Sequence, residues 1–229
     1  MRQYVLLSDS VEMKKYGLQL RTAFNPPYVS GDALVARHEK FHKGFAAFFK
    51  HYATLKENGV YVYLLDNTIM SADSIPPAIR DMLLAHGVEL FFFDKNELGA
   101  KNKGAGEIEG IQHMRSTIKD FEWFIHLEPR QELKSFYFLD SFFANPRNLF
   151  FHNGHGPFHF HTGLYTTEAK NIISFVDEFS DERLRDMVYR NESIEYLFCN
   201  FYQKNEIKYD MLDKMDLIWH APEGREYHW

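Results

Sequence analysis

The sequence predicts an α/β protein with three layers, in which helices cover both faces of a mostly parallel central sheet. Two nearly unbroken apolar runs, Val88–Asp94 and Phe121–Leu127, are typical of strands that are covered on both faces. Between them, apolar residues recur at helical spacing from Ile108 to Ile118, and two parallel strands require such a crossover helix. Because no linker or internal repeat is visible, we expect one domain over residues 1–229.

The first half begins with a short apolar run at Tyr4–Ser8, which predicts the first strand of the sheet. Residues 9–31 follow as a polar segment, which we expect to be a functional loop or an irregular excursion. A single aromatic stripe at spacings of three and four then predicts a helix over Arg37–Asn58. Gly59 should end this helix, because glycine is common just after a helix.

Two further strand–helix pairs complete the first half. The apolar run Val60–Leu65 predicts the second strand. Pro76 and Pro77 suit the first turn of the next helix, and Gly87 should close it. With the two apolar runs and their crossover helix, the first half reads β-α-β-α-β-α-β.

The second half has a less regular pattern. Residues Lys134–Phe143 fit neither the strand period nor the helix period well, so both structures stay open. Strands are predicted at Asn148–Asn153 and Phe158–Tyr165, and Thr166 or Thr167 can cap a following helix. Two more helices are predicted at Glu182–Tyr189 and Glu192–Tyr202.

The composition excludes several classes of protein. A formal net charge of −6 and a pI near 6.0 argue against a nucleic-acid coat, which needs a dense basic face. No stretch reaches the roughly 18 apolar residues that span a bilayer, and the first apolar run is too short for a secretory signal. Cys199 is the single cysteine, which fits a reducing compartment and a buried inert thiol. We therefore expect a cytoplasmic protein without a nucleic-acid partner.

Polar residues follow the predicted second strand at Asp66 and Asn67. In open α/β sheets the ligand crevice lies beyond the carboxyl ends of the strands. A carboxylate at this position can accept hydrogen bonds from a base or a ribose. The alternative is an Asx turn that only closes the strand.

Two basic segments also fall at strand ends. Lys101 and Lys103 precede a predicted helix whose free N–H groups attract anions, and Gly104 would let an anion approach the backbone. After the fourth strand, Arg130 offers a planar fork that suits a diphosphate. The alternatives are a capped, soluble helix start and a surface arginine paired with Glu128.

Histidines and glutamates in the second half give two further candidate sites. The four residues His152, His155, His159 and His161 fall within ten positions, and the last two would share a strand face as a possible metal pair. A helix start contains two carboxylates, either of which can act as a general base or only complement the helix dipole. These carboxylates are Glu192 and Glu195.

The order of these segments resembles that of the GT-A glycosyltransferases, over about two-thirds of the chain. The segments that match the donor side of that fold are YVLLSD, YLLDN, NKGAGE and FIHLEPR. The segments HTGLY and ESIEYLF resemble the acceptor side and the base-bearing helix of small bacterial and viral sugar transferases. The resemblance implies a GT-A-like fold, with residues 1–132 binding a nucleotide-diphosphate sugar and residues 133–229 binding the acceptor.

The resemblance also implies roles for individual residues. Ser8, Asp66 and Asn67 would hold the nucleotide, and the diphosphate would lie among Lys103, Gly104, Glu128 and Arg130. Glu195 is the first candidate for the base that takes a proton from the acceptor hydroxyl, followed by Glu192 and then His161. The implied partners are a nucleotide-diphosphate sugar and a glycan or other hydroxyl acceptor, in polysaccharide or glycoconjugate synthesis.

One departure concerns the metal of the resembled family. These enzymes usually carry an Asp-x-Asp pair after the fourth strand that binds a divalent metal, and this chain has none there. Either Glu128 is the single carboxylate ligand of Mn²⁺ or Mg²⁺, or cations such as Arg130 and Lys103 replace the metal. Two alternative functions remain: a metal-dependent enzyme built on the four histidines, and a non-catalytic domain that binds a nucleotide sugar.

Overall fold

The structure is a computed structural model that describes residues 14–93, 96–151, 158–220 and 226–228. The predicted strand Tyr4–Ser8 and the candidate Ser8 lie outside the described residues. A strand does form at Lys14–Thr22, inside the segment expected to be a loop, so that expectation was wrong. Tyr16, Leu18 and Leu20 of this strand belong to one apolar cluster, whereas polar side chains such as Gln19 lie between them and interrupt the apolar run.

The described residues form ten strands. In chain order they are β1 (Lys14–Thr22), β2 (Val60–Asp66), β3 (Glu89–Phe92), β4 (Phe121–Leu127), β5 (Glu132–Leu133), β6 (Leu149–Phe150), β7 (Leu164–Glu168), β8 (Asp210–Met211), β9 (Leu217–His220) and β10 (Glu226–His228). Seven of them make one sheet in the order β3-β2-β1-β4-β7-β6-β8, and β10-β9-β5 make a small second sheet. β1 pairs in parallel with both β2 and β4, whereas β7 is antiparallel to its neighbours β4 and β6. The large sheet is therefore mostly parallel, as predicted.

Nine α-helices occur in the described part of the chain. They are α1 (Gly31–Phe49), α2 (Tyr52–Glu57), α3 (Pro77–Ala85), α4 (Lys103–His113), α5 (Arg115–Ile118), α6 (Tyr137–Ala144), α7 (Ala169–Asp177), α8 (Asp181–Tyr189) and α9 (Ile194–Lys204). Gly59 and Gly87 follow α2 and α3 with φ of +68° and +65°, so both predicted helix ends are confirmed. None of these helices combines the length and the apolar character needed to cross a lipid bilayer.

Two apolar layers confirm the three-layer architecture. Helices α1, α2, α3 and α6 pack on one face of the sheet, and α4, α5, α7, α8 and α9 pack on the other. The strands alternate accordingly: Leu18 and Leu20 of β1 face the first layer, while Tyr63 and Leu65 of β2 face the second. Cys199 is buried in the second layer, and burial raises the pKa of its thiol, as expected for an inert cysteine.

Several predictions for the second half were wrong in detail. The ambiguous stretch Lys134–Phe143 contains most of α6, and only the end of the predicted strand Phe158–Tyr165 belongs to β7. Thr166 and Thr167 lie inside β7 and cap no helix, because both are fully buried and β-branched residues suit a strand. Helix α7 begins only at Ala169.

The order of the strands determines where a ligand crevice forms. From β1 the chain passes to β2 and β3 on one side, and then returns to place β4 on the other side of β1. In open α/β sheets such a reversal leaves a crevice beyond the carboxyl ends of the two strands that flank it. The crevice is therefore expected beyond Thr22 and Leu127, where β1 and β4 end.

Candidate active site

An open cavity of about 600 Å³ lies at these strand ends. This volume is within the usual range for a small-molecule site. Its walls come from the ends of β1 and β2, the turn after β4, the start of α4, the loop before β7 and the start of α9. The cavity therefore combines segments that are far apart in the sequence.

Three cations surround one carboxylate on the wall of the cavity. Arg130 donates from Nε to Glu128 Oε1 at 2.7 Å, and a second guanidinium nitrogen contacts the same oxygen. Burial by itself raises the pKa of Glu128, but Arg130, Arg37 and Lys103 outweigh it and lower that pKa to about 2. Burial lowers the pKa of both Arg37 and Lys103, and the charge of Arg130 lowers each further. We call Arg37, Lys103, Glu128 and Arg130 the cation cluster; its excess positive charge suits an anion.

The structure brings together the three residues of this cluster that were expected around the diphosphate. Lys103, Glu128 and Arg130 all line the cavity. Arg130 is paired with Glu128, as the alternative interpretation held, but its side chain is only 12% exposed and does not lie on the open surface. Arg37 was not predicted, because in the sequence it reads as an ordinary basic residue of a helix.

Asp66 has a different role from the predicted one. Its carboxylate accepts hydrogen bonds from the backbone N–H groups of Phe24 at 2.9 Å and Thr68 at 2.6 Å. The second bond is an Asx turn, which was the alternative interpretation. Asp66 is fully buried and does not line the cavity, so its role is to hold the segment after β1. That segment positions the cation cluster, because Arg37 Nε donates to the carbonyl of Ala23 at 2.7 Å.

Asn67 lines the cavity, as predicted for a nucleotide-binding residue. Its Oδ1 accepts a hydrogen bond from Arg21 Nη2 at 2.7 Å, and its Nδ2 donates to Asn96 Oδ1 at 3.0 Å. Arg21 also lines the cavity. Arg21 was not predicted as a site residue, because it lies in the segment that we expected to be a loop or an irregular excursion.

The start of α4 is tied to the start of α9. Asn102 caps α4 by accepting from Ala105 N at 3.2 Å, and its Nδ2 donates to the carbonyl of Glu192 at 3.0 Å. Gly104 lines the cavity, but a Cβ on it would lie 2.8 Å from Ile194 Cβ. The expected reason for this glycine was therefore incomplete: the missing side chain lets α4 pack closely against α9.

A second glycine brings the turn after β4 close to helix α1. A Cβ on Gly44 would lie 1.7 Å from the carbonyl oxygen of Pro129. The backbone N–H of Gln131 closes this turn on the carbonyl of Glu128 at 3.1 Å. The turn that carries Glu128 and Arg130 is therefore fixed by backbone contacts on the side of α1, the helix that carries Arg37.

The two candidate base carboxylates differ in their partners. Glu195 lines the cavity and accepts hydrogen bonds from Ser193 Oγ at 2.7 Å and Thr162 Oγ1 at 3.4 Å. Its charge acts on both Lys103 and Glu107, which places its carboxylate near the cation cluster in the same cavity. Glu192 also lines the cavity, but Arg183 forms an ion pair with its carboxylate. Glu195 is the better-placed base of the two.

His161 lines the cavity but is poorly suited to act as a base. Burial lowers the pKa of His161 to about 4, although the charge of Glu128 opposes this shift. Its Nδ1 already accepts the backbone N–H of Gly163 at 3.2 Å. The neutral ring then carries its hydrogen on Nε2, and neither nitrogen has a lone pair available for an acceptor proton.

The four-histidine metal site receives no support from the described residues. His152 and His155 lie outside them. His159 and His161 lie in the loop before β7 and not on a strand, so the shared strand face does not form. Within the described ranges, no three His, Cys, Asp or Glu side chains are placed to hold a metal ion.

Glu128 also fits a metal poorly. Among the described residues, the hydrogen bonds that its carboxylate accepts come from Arg130, and two further cations lie close enough to lower its pKa. A divalent ion at this carboxylate would have to displace or repel these positive charges. Glu128 and its neighbours therefore do not fit the single-carboxylate ligand set that was one alternative for Mn²⁺ or Mg²⁺.

Besides Arg21 and Arg37, the polar cavity residues that were not predicted as site residues include Glu107 of α4, His126 of β4 and Gln131 of the turn after β4. Burial, followed by the charge of Glu195, raises the pKa of Glu107 to about 8. Burial also lowers the pKa of His126 to about 3. A polar residue inside an otherwise apolar strand was the available signal for His126.

Comparisons with known proteins identify the fold. No protein-family model matches the sequence, and no curated protein matches it. A structure described as a glucose-1-phosphate thymidylyltransferase from Bacillus anthracis, in complex with a sucrose, superposes with a TM-score of 0.52 at 8% identity over 87% of each chain. A glycosyltransferase involved in glycosylation of the major capsid of PBCV-1 gives a TM-score of 0.35 at 12% identity, over 86% of this chain and 82% of its own. This second similarity is too low to support an argument. The first, with the observed sheet, confirms a GT-A-like three-layer fold.

Proposed function

We propose that this protein is a glycosyltransferase that moves a sugar from a nucleotide-diphosphate donor to the hydroxyl group of an acceptor such as a glycan. The observation that carries this proposal is the cation cluster, which lies beside the start of α4 in a cavity at the carboxyl ends of β1 and β4. Guanidinium groups and free helix N–H groups both favour phosphate oxygens. The ends of β1 and β2, with Asn67, would hold the nucleotide.

The reaction transfers charge onto the leaving group. The acceptor oxygen forms a bond to the anomeric carbon while the bond from that carbon to the diphosphate breaks, and the electron pair of the broken bond stays on the diphosphate. Arg37, Lys103 and Arg130 are already fixed where this negative charge develops. Such fixed cations stabilise the transition state more than the ground state and so lower the barrier.

The acceptor hydroxyl must lose a proton as it attacks, and we assign this proton to Glu195. The carboxylate lines the same cavity as the cation cluster and is oriented by Ser193 and Thr162. A base in this cavity can take the proton of the acceptor while the cation cluster holds the leaving diphosphate. Glu192 is the second choice, because Arg183 engages it.

We further propose that the cation cluster takes the place of a divalent metal. The poor fit of Glu128 as a metal ligand supports this assignment, since its carboxylate is engaged by Arg130. We also expect the protein to act in the cytoplasm, because its single cysteine fits a reducing compartment. Ligand binding compared in EDTA and in Mn²⁺ tests whether a metal is required.

The test is calorimetric titration of the full chain with nucleoside diphosphates in EDTA and in Mn²⁺. Arg130→Ala should weaken the binding of the preferred diphosphate by about 1.5–3 kcal/mol, the range for a charge-assisted hydrogen bond. We expect similar affinity in EDTA and in Mn²⁺. Arg115→Ala is the matched control, because Arg115 pairs with Asp177 at the surface, outside the cavity, and should leave binding unchanged.

Two results would contradict this proposal in different ways. Equal affinity of Arg130→Ala and the wild type would show that the cation cluster is not part of the diphosphate site. Binding that occurs only in Mn²⁺ would show that a divalent metal is required. Diphosphate binding without turnover of any nucleotide sugar would favour the non-catalytic alternative, a domain that kept the fold and lost the chemistry.

A further inference from the structure

Several buried polar atoms of the cavity have no hydrogen-bond partner among the described residues. They include Glu107 Oε1, His126 Nδ1 and Gln131 Oε1. Folded proteins leave few such atoms, because an unmade hydrogen bond in a buried position costs about 1–3 kcal/mol. These three residues all line the same cavity, and His126 and Gln131 are only 1% and 2% exposed. Their common location indicates that a ligand, rather than the protein, completes their hydrogen bonds.

The three side chains are held in place by their surroundings. Glu107 Oε1 lies 3.8 Å from His126 Nε2, too far for a hydrogen bond. The His126 ring stacks on Tyr165 with centroids 4.9 Å apart and planes 8° from parallel. Gln131 lies over Gly163, where a Cβ would come within 1.6 Å of its Nε2. The set is therefore preorganised, which reduces the cost of binding a ligand.

The three groups form a neutral set at neutral pH. Burial raises the pKa of Glu107 to about 8, and the nearby Glu195 and Glu128 add to this effect against the opposing charge of Arg21. Burial lowers the pKa of His126 to about 3. Glu107 is then a carboxylic acid with one O–H donor, and the imidazole of His126 offers one donor and one acceptor. The set thus mixes donors and acceptors without net charge.

The location of this set determines which part of a ligand it meets. Glu107 lies one turn along α4 from Lys103, and His126 and Gln131 flank Glu128 and Arg130 along the chain. The set therefore adjoins the cation cluster, and Glu195 lines the same cavity. In a nucleotide-diphosphate sugar, the sugar is bonded directly to the diphosphate and so lies beside the groups that hold it. The transferred sugar is therefore the part of the donor that would contact these groups.

We propose that Glu107, His126 and Gln131 form a subsite for the hydroxyl groups of an uncharged donor sugar. This inference rests on the proposed function. Each sugar hydroxyl is both a donor and an acceptor, so hydroxyls alone can satisfy the mixed set of polar atoms. A site with buried polar groups also discriminates against ligands that leave those groups unpaired.

The test compares two ligands that differ only in the sugar. The probes are UDP, GDP, ADP and dTDP with their glucose conjugates, and the pair with the highest wild-type affinity is used for the variants. Glu107→Leu should weaken binding of the glucose conjugate by about tenfold or more, which corresponds to a lost hydrogen bond of about 1.4 kcal/mol. It should leave the affinity for the free diphosphate within about twofold, because the cation cluster is intact.

Glu107→Gln separates hydrogen bonding from charge. The amide has nearly the same shape and keeps a donor and an acceptor, so we expect both affinities within about threefold of the wild type. Glu122→Gln is the matched control, because Glu122 is exposed at the opposite end of β4. Gln131→Leu gives the same comparison independently if Glu107→Leu fails to fold.

The possible results are distinct. Selective loss of the glucose conjugate in Glu107→Leu or Gln131→Leu supports the subsite. Equal weakening of both ligands, or no weakening, overturns it while leaving the diphosphate site in place. If the wild type binds none of the diphosphates, the proposed function fails, and the sugar subsite that rests on it fails as well.

Discussion

At the scale of single residues, two carboxyl groups in one cavity have opposite electrostatic environments. Cations lower the pKa of Glu128 to about 2 against the effect of burial, whereas burial and neighbouring carboxylates raise the pKa of Glu107 to about 8. Enzymes commonly use such divergent environments to give similar side chains different tasks. Glu128 is suited to orient cations, and Glu107 is suited to donate a hydrogen bond.

The base assignment can be tested with one substitution. Glu195→Gln keeps the size of the side chain but cannot accept the acceptor proton, so we expect transfer to fall by about 10²–10⁴-fold. Donor affinity should change little, because the cation cluster is untouched. Single-turnover transfer and calorimetry measure the two quantities separately. Glu192→Gln is the matched control and should retain most activity; the reverse order of effects would reassign the base.

The sequence predicted several of the residues that line the cavity. Lys103, Glu128, Arg130 and Glu195 were chosen because charged residues lie at predicted strand and helix boundaries, and all four line the cavity. The role of Asp66 was not predictable, because a carboxylate after a strand fits both a ligand contact and an Asx turn. Which one forms depends on the partners, here the backbone of Phe24, that the fold brings near it.

At the scale of secondary-structure elements, the sequence predicted unbroken apolar strands well and alternating ones poorly. Strand β4 has the predicted bounds, because its residues are nearly all apolar. Strand β1 was missed although it is the central strand, because Gln19 and Arg21 interrupt its apolar pattern. These polar side chains occur on the face of β1 that leads into the cavity, so the feature that concealed the strand belongs to the site.

The close packing of α4 against α8 and α9 gives a test at this scale. A Cβ on Gly104 would lie 2.8 Å from Ile194 Cβ and 2.9 Å from Met187 Cε, so Gly104→Ala should lower the free energy of unfolding by about 1–3 kcal/mol. Urea denaturation measures this change. Gly110→Ala in the same helix is the control, because its nearest contact is the flexible end of Leu65 at 3.2 Å. Equal stability of the two variants would contradict the packing role of Gly104.

At the scale of the whole molecule, the strand order places the site. The reversal of direction at β1 opens the crevice between β1 and β4, and the later elements β7 and α9 bring Thr162 and Glu195 to its far side. The sequence predicted the strand–helix alternation, and therefore the fold class. It did not predict that Arg37, from the outer helix layer, would reach the crevice, because this depends on the close contact at Gly44 and on the turn held by Asp66.

The buried groups of the cavity should also determine how global stability depends on pH. Glu107 has its pKa raised from an ordinary value of 4.5 to about 8, so the unfolded chain loses this proton first and stability falls as pH rises between these values. The pKa values of His126 and His161 are lowered from 6.5 to about 3 and about 4. The unfolded chain therefore gains these protons first, and stability falls as pH drops below 6.5. The carboxylate of Glu128 adds a loss of stability from pH 4.5 to about 2.

These opposing slopes place the maximum of stability near pH 6.5. As pH falls below 6.5, the stability that the two histidines remove is larger than the stability that Glu107 adds. Above pH 6.5, Glu107 is the one of these groups that changes stability, and it lowers the free energy of unfolding by up to about 1.4 kcal/mol per pH unit until pH 8. We expect Glu107→Gln to remove this alkaline slope, so that the wild type loses about 1–2 kcal/mol more stability than the variant between pH 6.5 and pH 8. Urea denaturation at pH 5, 6.5 and 8 measures both curves. A wild-type curve that stays flat from pH 6.5 to 8 would show that Glu107 is already ionised in the folded protein, and that its carboxyl group is not the neutral donor on which the sugar subsite depends.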